Sequence, residues 1–152
     1  MTSDILISYN TQFSEPLIAA GREAFSGVFD GANHIITNLN IASDHDISLA
    51  LFSEISSTGV VQNLGLEHLR ISGEPQAAGL CALNKGTITN CYTTGVVMAC
   101  RGVGGLCIDN AGSISFCHSE VDVTGGAHVG GICGDNGGVI QNCSAGGNIT
   151  GG

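Results

Sequence analysis

Apolar residues come in short runs along this chain, each cut off by glycine or asparagine. "GLCA" (Gly79–Ala82), "TITNC" (Thr87–Cys91) and "TGVVM" (Thr94–Met98) show the style. No segment holds i, i+3, i+4 apolar spacing over ten residues, so helices are not expected. Short β-rich pieces bounded by Asn-x-Gly or Gly-rich corners read as strands joined by tight turns.

The pieces recur. Gly79, Gly105 and Gly131 are 26 residues apart, as are Leu80, Leu106 and Ile132, and Asn84, Asn110 and Asn136. Gly86, Gly112 and Gly138 keep step, with Ile88, Ile114 and Ile140, and with Val97, Val123 and Ile149. Two looser copies come earlier. Leu51–Gly73 aligns once two residues are inserted before Gly59, which sets Leu51 under Leu80, Val61 under Ile88 and Leu64 under Cys91. Val28–Ile41 supplies the same strand again, with Ile36 and Leu39 in the Ile88 and Cys91 columns.

Such a unit builds an all-β, single-stranded parallel β-helix (a β-solenoid) of about five coils of ~26 residues. Inward side chains of one coil pack on the next, and equivalent residues pile into ladders ~4.8 Å apart. A β-sandwich, the competing architecture, predicts no fixed period. Residues 1–24 form an N-terminal cap or first-coil segment, and residues 25–152 form the repeats.

The corners use asparagine twice. In "LNKG", "DNAG" and "DNGG", the Asn and the Gly two positions later are residues that tolerate positive φ. A second column (Asn38, Asn63, Asn90, Asn142) precedes an apolar residue each time. Ile88 and Cys91 are three apart, so a bend at Asn90 is needed for both to face inward. Its amide would then bond along an inward ladder, which Phe116 interrupts.

Composition narrows the function classes. Hydrophobic residues make up 43% of the 152 but aromatics only 5%, so the core must be Val, Ile, Leu, Ala and Cys. Four cations (Arg22, Arg70, Lys85, Arg101) against 13 acids give a net charge of −9. That excludes a phosphate-tracking surface, so no nucleic-acid partner is expected, and no binding to an anionic membrane. No apolar run reaches the ~18 residues of a membrane span. The opening "MTSDILISYN" has no basic n-region, so no signal peptide is visible in this chain.

Six of the seven cysteines fall in two columns: Cys81, Cys107 and Cys133, and Cys91, Cys117 and Cys143. Metal binding wants closer pairs or histidines. A bridge within each coil (81–91, 107–117, 133–143) needs Cα atoms within ~7 Å, while facing sheets sit ~10 Å apart. Earlier coils carry Phe52 and Leu64, then Phe29 and Leu39, at these places. Thiols acting as small core hydrophobes are the simplest reading.

"FSGVFDGANHIITNLNI" (Phe25–Ile41) and the three later units, such as "VGGICGDNGGVIQNC" (Val129–Cys143), resemble the GLUG-motif repeat family over most of the chain. Ala82 and Ile108 depart from that motif where Gly134 follows it. The resemblance implies a right-handed parallel β-helix of bacterial surface or adhesin-like proteins, also found beside the protease domain of some immunoglobulin-A-cleaving metallopeptidases. No H-E-x-x-H segment is present, so no catalytic role carries over.

Candidate chemistry is sparse, and no catalytic, cofactor or metal residue is assigned. Asp44, His45 and Asp46 form a polar corner. Asp109 and Asp135 stack beside Asn110 and Asn136, where repulsion invites an ion, so weak calcium binding is the one metal reading to test. His34, His68, His118 and His128 share no column, and no serine has a matching His and Asp column. Asn142-Cys143-Ser144 and Asn148-Ile149-Thr150 fit the glycosylation sequon, the first set aside because Asn142 belongs to the inward ladder. At the N-terminus, Ser14 and Pro16 fit the start of a short capping helix, whereas the repeat family would make Pro16–Ile18 extended. The last unit has no cap.

The expectation is a non-enzymatic β-helical rod of a cell-surface or adhesin-like protein, extracellular, with further repeats or a second copy at its ends and a host or glycan ligand left open. A subunit stacking end to end into an extracellular filament is the alternative. A polysaccharide-acting enzyme is the third reading, disfavoured by few cations, no Trp and few coils.

Overall fold

The computed structural model describes residues 1–21 and 23–152. Every strand pairing in it is parallel and joins one coil to the next, so the chain is a β-solenoid of about five turns. No helix occurs among the described residues, and so none is long and apolar enough to cross a membrane.

Three stacks form the walls. One holds Phe52–Ile55, Cys81–Asn84, Cys107–Asn110 and Cys133–Asn136. A second holds Gln76–Ala78, Gly102–Gly104 and His128–Gly130. The third and largest holds Val28–Thr37, Val60–Glu74, Thr87–Ala99 and their successors to Ile149–Gly151. The strict period appears directly in the register: Cys81 on Cys107 on Cys133, and Ile88 on Ile114 on Ile140. The amides of Leu80 and Leu106 donate to the carbonyls of Leu106 and Ile132, and both leucines are fully buried, so the expected apolar spine is continuous.

The second coil aligns as expected, with Phe52 on Cys81, Val61 on Ile88 and Leu64 on Cys91. The coil before it does not. A register shift between Asp30 and His34 absorbs extra residues, so Phe29 lies on Val61, His34 on Leu64 and Ile36 on Leu66. Ile36, Leu39 and Phe29 are therefore not in the columns assigned from sequence. The partner beneath Phe52 is Ile18.

That bridge also decides the N-terminal segment. Ile5–Leu6 pair with Ile36–Thr37, Phe13 with Ile41, and Ile18 with Phe52, all parallel. No capping helix forms at Ser14–Ile18; Ile18 pairs as a parallel bridge instead, and residues 5–18 lie as a short rung on the next coil.

The two asparagine columns exchange the roles expected of them. Asn63, Asn90 and Asn142 take left-handed φ of 52–54°, as Phe116 does at 52°. They are the corners, and they sit at the surface, with Phe116 pointing its ring into solvent. The bend at Asn90 does bury both Ile88 and Cys91. Asn38 belongs to a different corner, shared with His68 and Gly95. Asn84 and Asn110 have ordinary φ and are buried, forming the inward ladder: Asn84 Nδ2 donates to Asn110 Oδ1, and Asn110 Nδ2 to Asn136 Oδ1, both at 2.8 Å. Gly86, Gly112 and Gly138 are needed there for room, not for φ. A Cβ on Gly112 would lie 2.2 Å from the Gly86 carbonyl, and one on Gly138 equally close to Gly112.

Candidate functional site

The best-formed concavity lies along the corner of Asn38, His68 and Gly95. These residues turn the chain with φ of 65°, 55° and 128°. After the first two turns Leu39 and Leu69 go inward and are buried, and on the next coil Gly95 itself lies in register with Leu69. One position further, Asn40, Arg70 and Val96 are in register with one another. Gly95 suits this corner because a Cβ would meet the Leu69 backbone at 2.3 Å. Above them a turn closed by Thr11 N–H donating to Ser8 C=O at 2.9 Å holds Tyr9 out, 83% exposed. Together they enclose an open groove of about 490 Å³.

Two groups in this wall lack partners. Asn38 is buried, and its Nδ2 donates to Ile7 C=O at 3.2 Å, but its Oδ1 has no hydrogen-bond partner among the described residues. Such a group ordinarily finds one. Arg70 has no carboxylate partner among the described residues, although the chain carries thirteen acids; Lys85, by contrast, pairs with Glu54 at 2.8 Å. The groove thus combines a fork-shaped cation, an exposed phenol ring, carboxamides and an imidazole. It can hold a small polar anion and cover one flat face. Sequence reasoning did not find it, because Tyr9, Asn38, His68 and Arg70 come from three coils and two of these turns are irregular.

The residues singled out from sequence lie elsewhere. Asp44, His45 and Asp46 are exposed, with Asp44 and Asp46 lining a shallow corner alongside Glu74, Cys100 and Arg101. Asp109 and Asp135 do stack in register. Their repulsion is relieved by an imidazole, since His128 Nδ1 lies 2.8 Å from Asp135 Oδ1. Burial, then Asp135, raises the Asp109 pKa, while His128 opposes the shift. No group of three metal-ligating side chains occurs there or elsewhere among the described residues.

One constellation was missed. His118 Nδ1 lies 2.7 Å from Ser144 Oγ, and its Nε2 lies 2.8 Å from Glu120 Oε1. The three meet because Ser144 stacks on His118 and Glu120 is two residues along the same strand. A Ser–His–Glu chain of this kind needs free amides to stabilise an oxyanion. Here Ser144 N–H donates to Cys117 C=O and Gly146 N–H to Ser119 C=O. Ser144 lines none of the five best-formed grooves of the described residues.

All seven cysteines are thiols. Within the ladders five of the six thiols donate to a carbonyl two residues away: Cys91 to Thr89, Cys117 to Ser115 and Cys143 to Gln141, then Cys107 to Asp109 and Cys133 to Asp135. Contact with Cys117, then burial, raises the Cys91 pKa; Cys107, then burial, does the same for Cys133. Asn142 and Asn148 are both exposed, so the reason for setting aside the Asn142 sequon does not hold.

This geometry defines a β-solenoid module with a polar groove on one corner. Comparison with solved structures agrees: a Bacteroides ovatus protein provisionally designated an immunoglobulin A1 protease superposes with a TM-score of 0.83 over 99% of this chain and 50% of that one, at 26% identity. Halomucin of Haloquadratum walsbyi is 36% identical over 83 residues, which is 55% of this chain and 1% of that protein. The chain therefore spans half of the structural neighbour and a small fraction of halomucin. No family model matches it, so the GLUG likeness stays a resemblance of motifs.

Proposed function

We propose that the chain is a non-enzymatic rigid rod segment of an extracellular or cell-surface protein, of the adhesin-like kind that the GLUG motifs imply. The observation that supports this best is the unbroken spine Leu51, Leu80, Leu106 and Ile132, which ties every coil to the next through one apolar column. A solenoid of this kind resists bending because each coil is fixed by its neighbours. A relative that is a mucin by name supports a surface location.

A second reading rests on the last coil. There Ile132, Cys133, Ile140 and Cys143, the inward residues of their columns, are only partly covered. In the rod reading further repeats cover them; in the alternative, the next copy does, giving a filament. Sedimentation over a wide concentration range separates the two. Constant mass supports the rod segment, and mass that grows with concentration supports the filament. Turnover tests the non-enzymatic part: hydrolysis of p-nitrophenyl acetate should not exceed that of Ser144→Ala. A rate lost in that variant would overturn it.

A further inference from the structure

We propose that the Tyr9–Arg70 groove binds a carboxylated sugar, a hexuronate-like ring whose carboxylate sits on the Arg70 guanidinium and whose flat face lies on Tyr9. The inference goes beyond the rod reading and does not depend on it.

Charge gives the first part. Arg70 faces the groove with no carboxylate partner among the described residues, and no acid lines the groove to compete for it. A guanidinium is shaped for two parallel hydrogen bonds to a carboxylate, and it is more weakly hydrated than an ammonium. A single guanidinium cannot neutralise the closely spaced phosphates of a nucleic acid. One carboxylate per ring fits better.

The wall gives the second part. Tyr9 is 83% exposed on a closed turn, which holds a large apolar face in water. A ring with one C–H face covers it, and a phenol leaves a polar tip for hydroxyls. Around it stand groups that donate or accept hydrogen bonds: the Asn40 amide, the His68 imidazole and the unsatisfied Asn38 Oδ1. A polyol matches that mixture. An apolar peptide anchor does not, because Leu69 is buried and only Val96 adds aliphatic surface. The Asn38 oxygen is itself covered, so it is reached only by a donor that enters the corner or by a small shift of the Ser8–Thr11 turn.

The register places the cation and the amide side by side. Asn40 and Arg70 are paired across adjacent coils, so a ring lying along the stack meets Tyr9, Asn40 and Arg70 in order.

The test is a titration of isotope-labelled protein with trigalacturonate, followed by backbone amide shifts. Shifts should gather at Tyr9, Asn40, His68 and Arg70 with a Kd of about 1 mM, as an open groove allows. Arg70→Ala should weaken binding by about tenfold or more, Arg70→Lys by less because charge remains without the fork, and Tyr9→Ala by about threefold to tenfold. Arg101→Ala, at an exposed cation outside the groove, should stay within about twofold. The methyl-esterified trimer should bind at least about fivefold more weakly than the acid. Tyr9, Arg70 and Arg101 are all exposed, and unchanged circular dichroism shows that the fold is kept. Absence of shifts at about 20 mM, equal binding of the ester, or an unaffected Arg70→Ala would overturn the proposal. So would acetate reproducing the same shifts at the same concentration, which makes the groove a carboxylate site only.

Discussion

The two halves of the solenoid fill the same columns by different means. In the irregular half, Phe25 stacks on Ile55, and Phe52 stands over Ile18. There Phe25 and Phe29 meet Phe52 edge-on, with ring centres 5.3 and 5.5 Å apart. In the regular half the Phe25–Ile55 column continues as Asn84, Asn110 and Asn136, and the Phe52 column continues as Cys81, Cys107 and Cys133. Strict repetition puts identical residues on top of one another. Identical large aromatics crowd each other, but a carboxamide carries a donor and an acceptor and so is its own partner. Where spacing is irregular, unlike apolar shapes interlock instead. The lesson is that the period selects self-complementary side chains, and its loss permits jigsaw packing.

Substitutions test this contrast. The largest loss is expected from Phe52→Ala, because Phe52 is fully buried and anchors both other rings; about 4 kcal/mol should be lost in urea unfolding. A loss under ~1 kcal/mol would mean that the irregular half is not held by its aromatics.

Next comes the amide ladder. Asn110→Leu removes the side-chain acceptor of the buried Asn84 amide and the donor to Asn136, and should cost about 3 kcal/mol. Changing Asn84, Asn110 and Asn136 to Leu together should cost clearly less than three single changes added, since both partners of each bond leave at once. Simple additivity in that cycle would show that the ladder is not a cooperative unit.

A smaller effect separates two glycines at neighbouring places in the repeat. Gly112→Ala drives a methyl into the Gly86 carbonyl and should lower stability by about 2 kcal/mol. Gly137→Ala, whose nearest neighbour is the Asn110 carbonyl at 3.8 Å, should change it by less than about 0.5 kcal/mol. Equal melting temperatures for the two would overturn the close-approach account.

The smallest effect concerns pH. Asn90 Nδ2 donates to Asn63 Oδ1 at 2.7 Å, and Asn63 Nδ2 to Asp30 Oδ1 at 3.0 Å. The Asn63 amide, the Ala32 N–H and the Gln62 amide hold the Asp30 pKa down at about 2. Since the folded value is depressed, its contribution is present above the ordinary value of 3.8 and fades as pH falls towards 2. Asp30→Asn should therefore flatten the stability curve between those pH values and leave it unchanged in slope at neutral pH. An identical acid limb in both proteins would count against the corner network.

How far the fold could be read depended on period. From Ala77 onward the columns in sequence are the columns in space, because no insertion breaks the count. Before that, the two extra residues ahead of Gly59 were visible, but the shift at Asp30–His34 was not: Gly31, Ala32 and Asn33 give no cue to how many residues a bulge absorbs. The exchange of roles between the asparagine columns was also hidden. Both contain the same residue at similar spacing, and only the depth of burial, set by the coils on either side, tells a ladder from a corner. The groove was least legible, since its parts are separated along the chain and one of them, Tyr9, rides on a turn outside the repeat.

The two amide chains point opposite ways. From Asn84 the N–H groups aim along the coils towards the C-terminus, and from Asn90 they aim back towards Asp30. In the Asn84 column a copied unit inserted whole brings one hydrogen to give and one lone pair to receive. Such an array can lengthen by duplication without any older contact having to be redesigned, and it can do so in only one orientation.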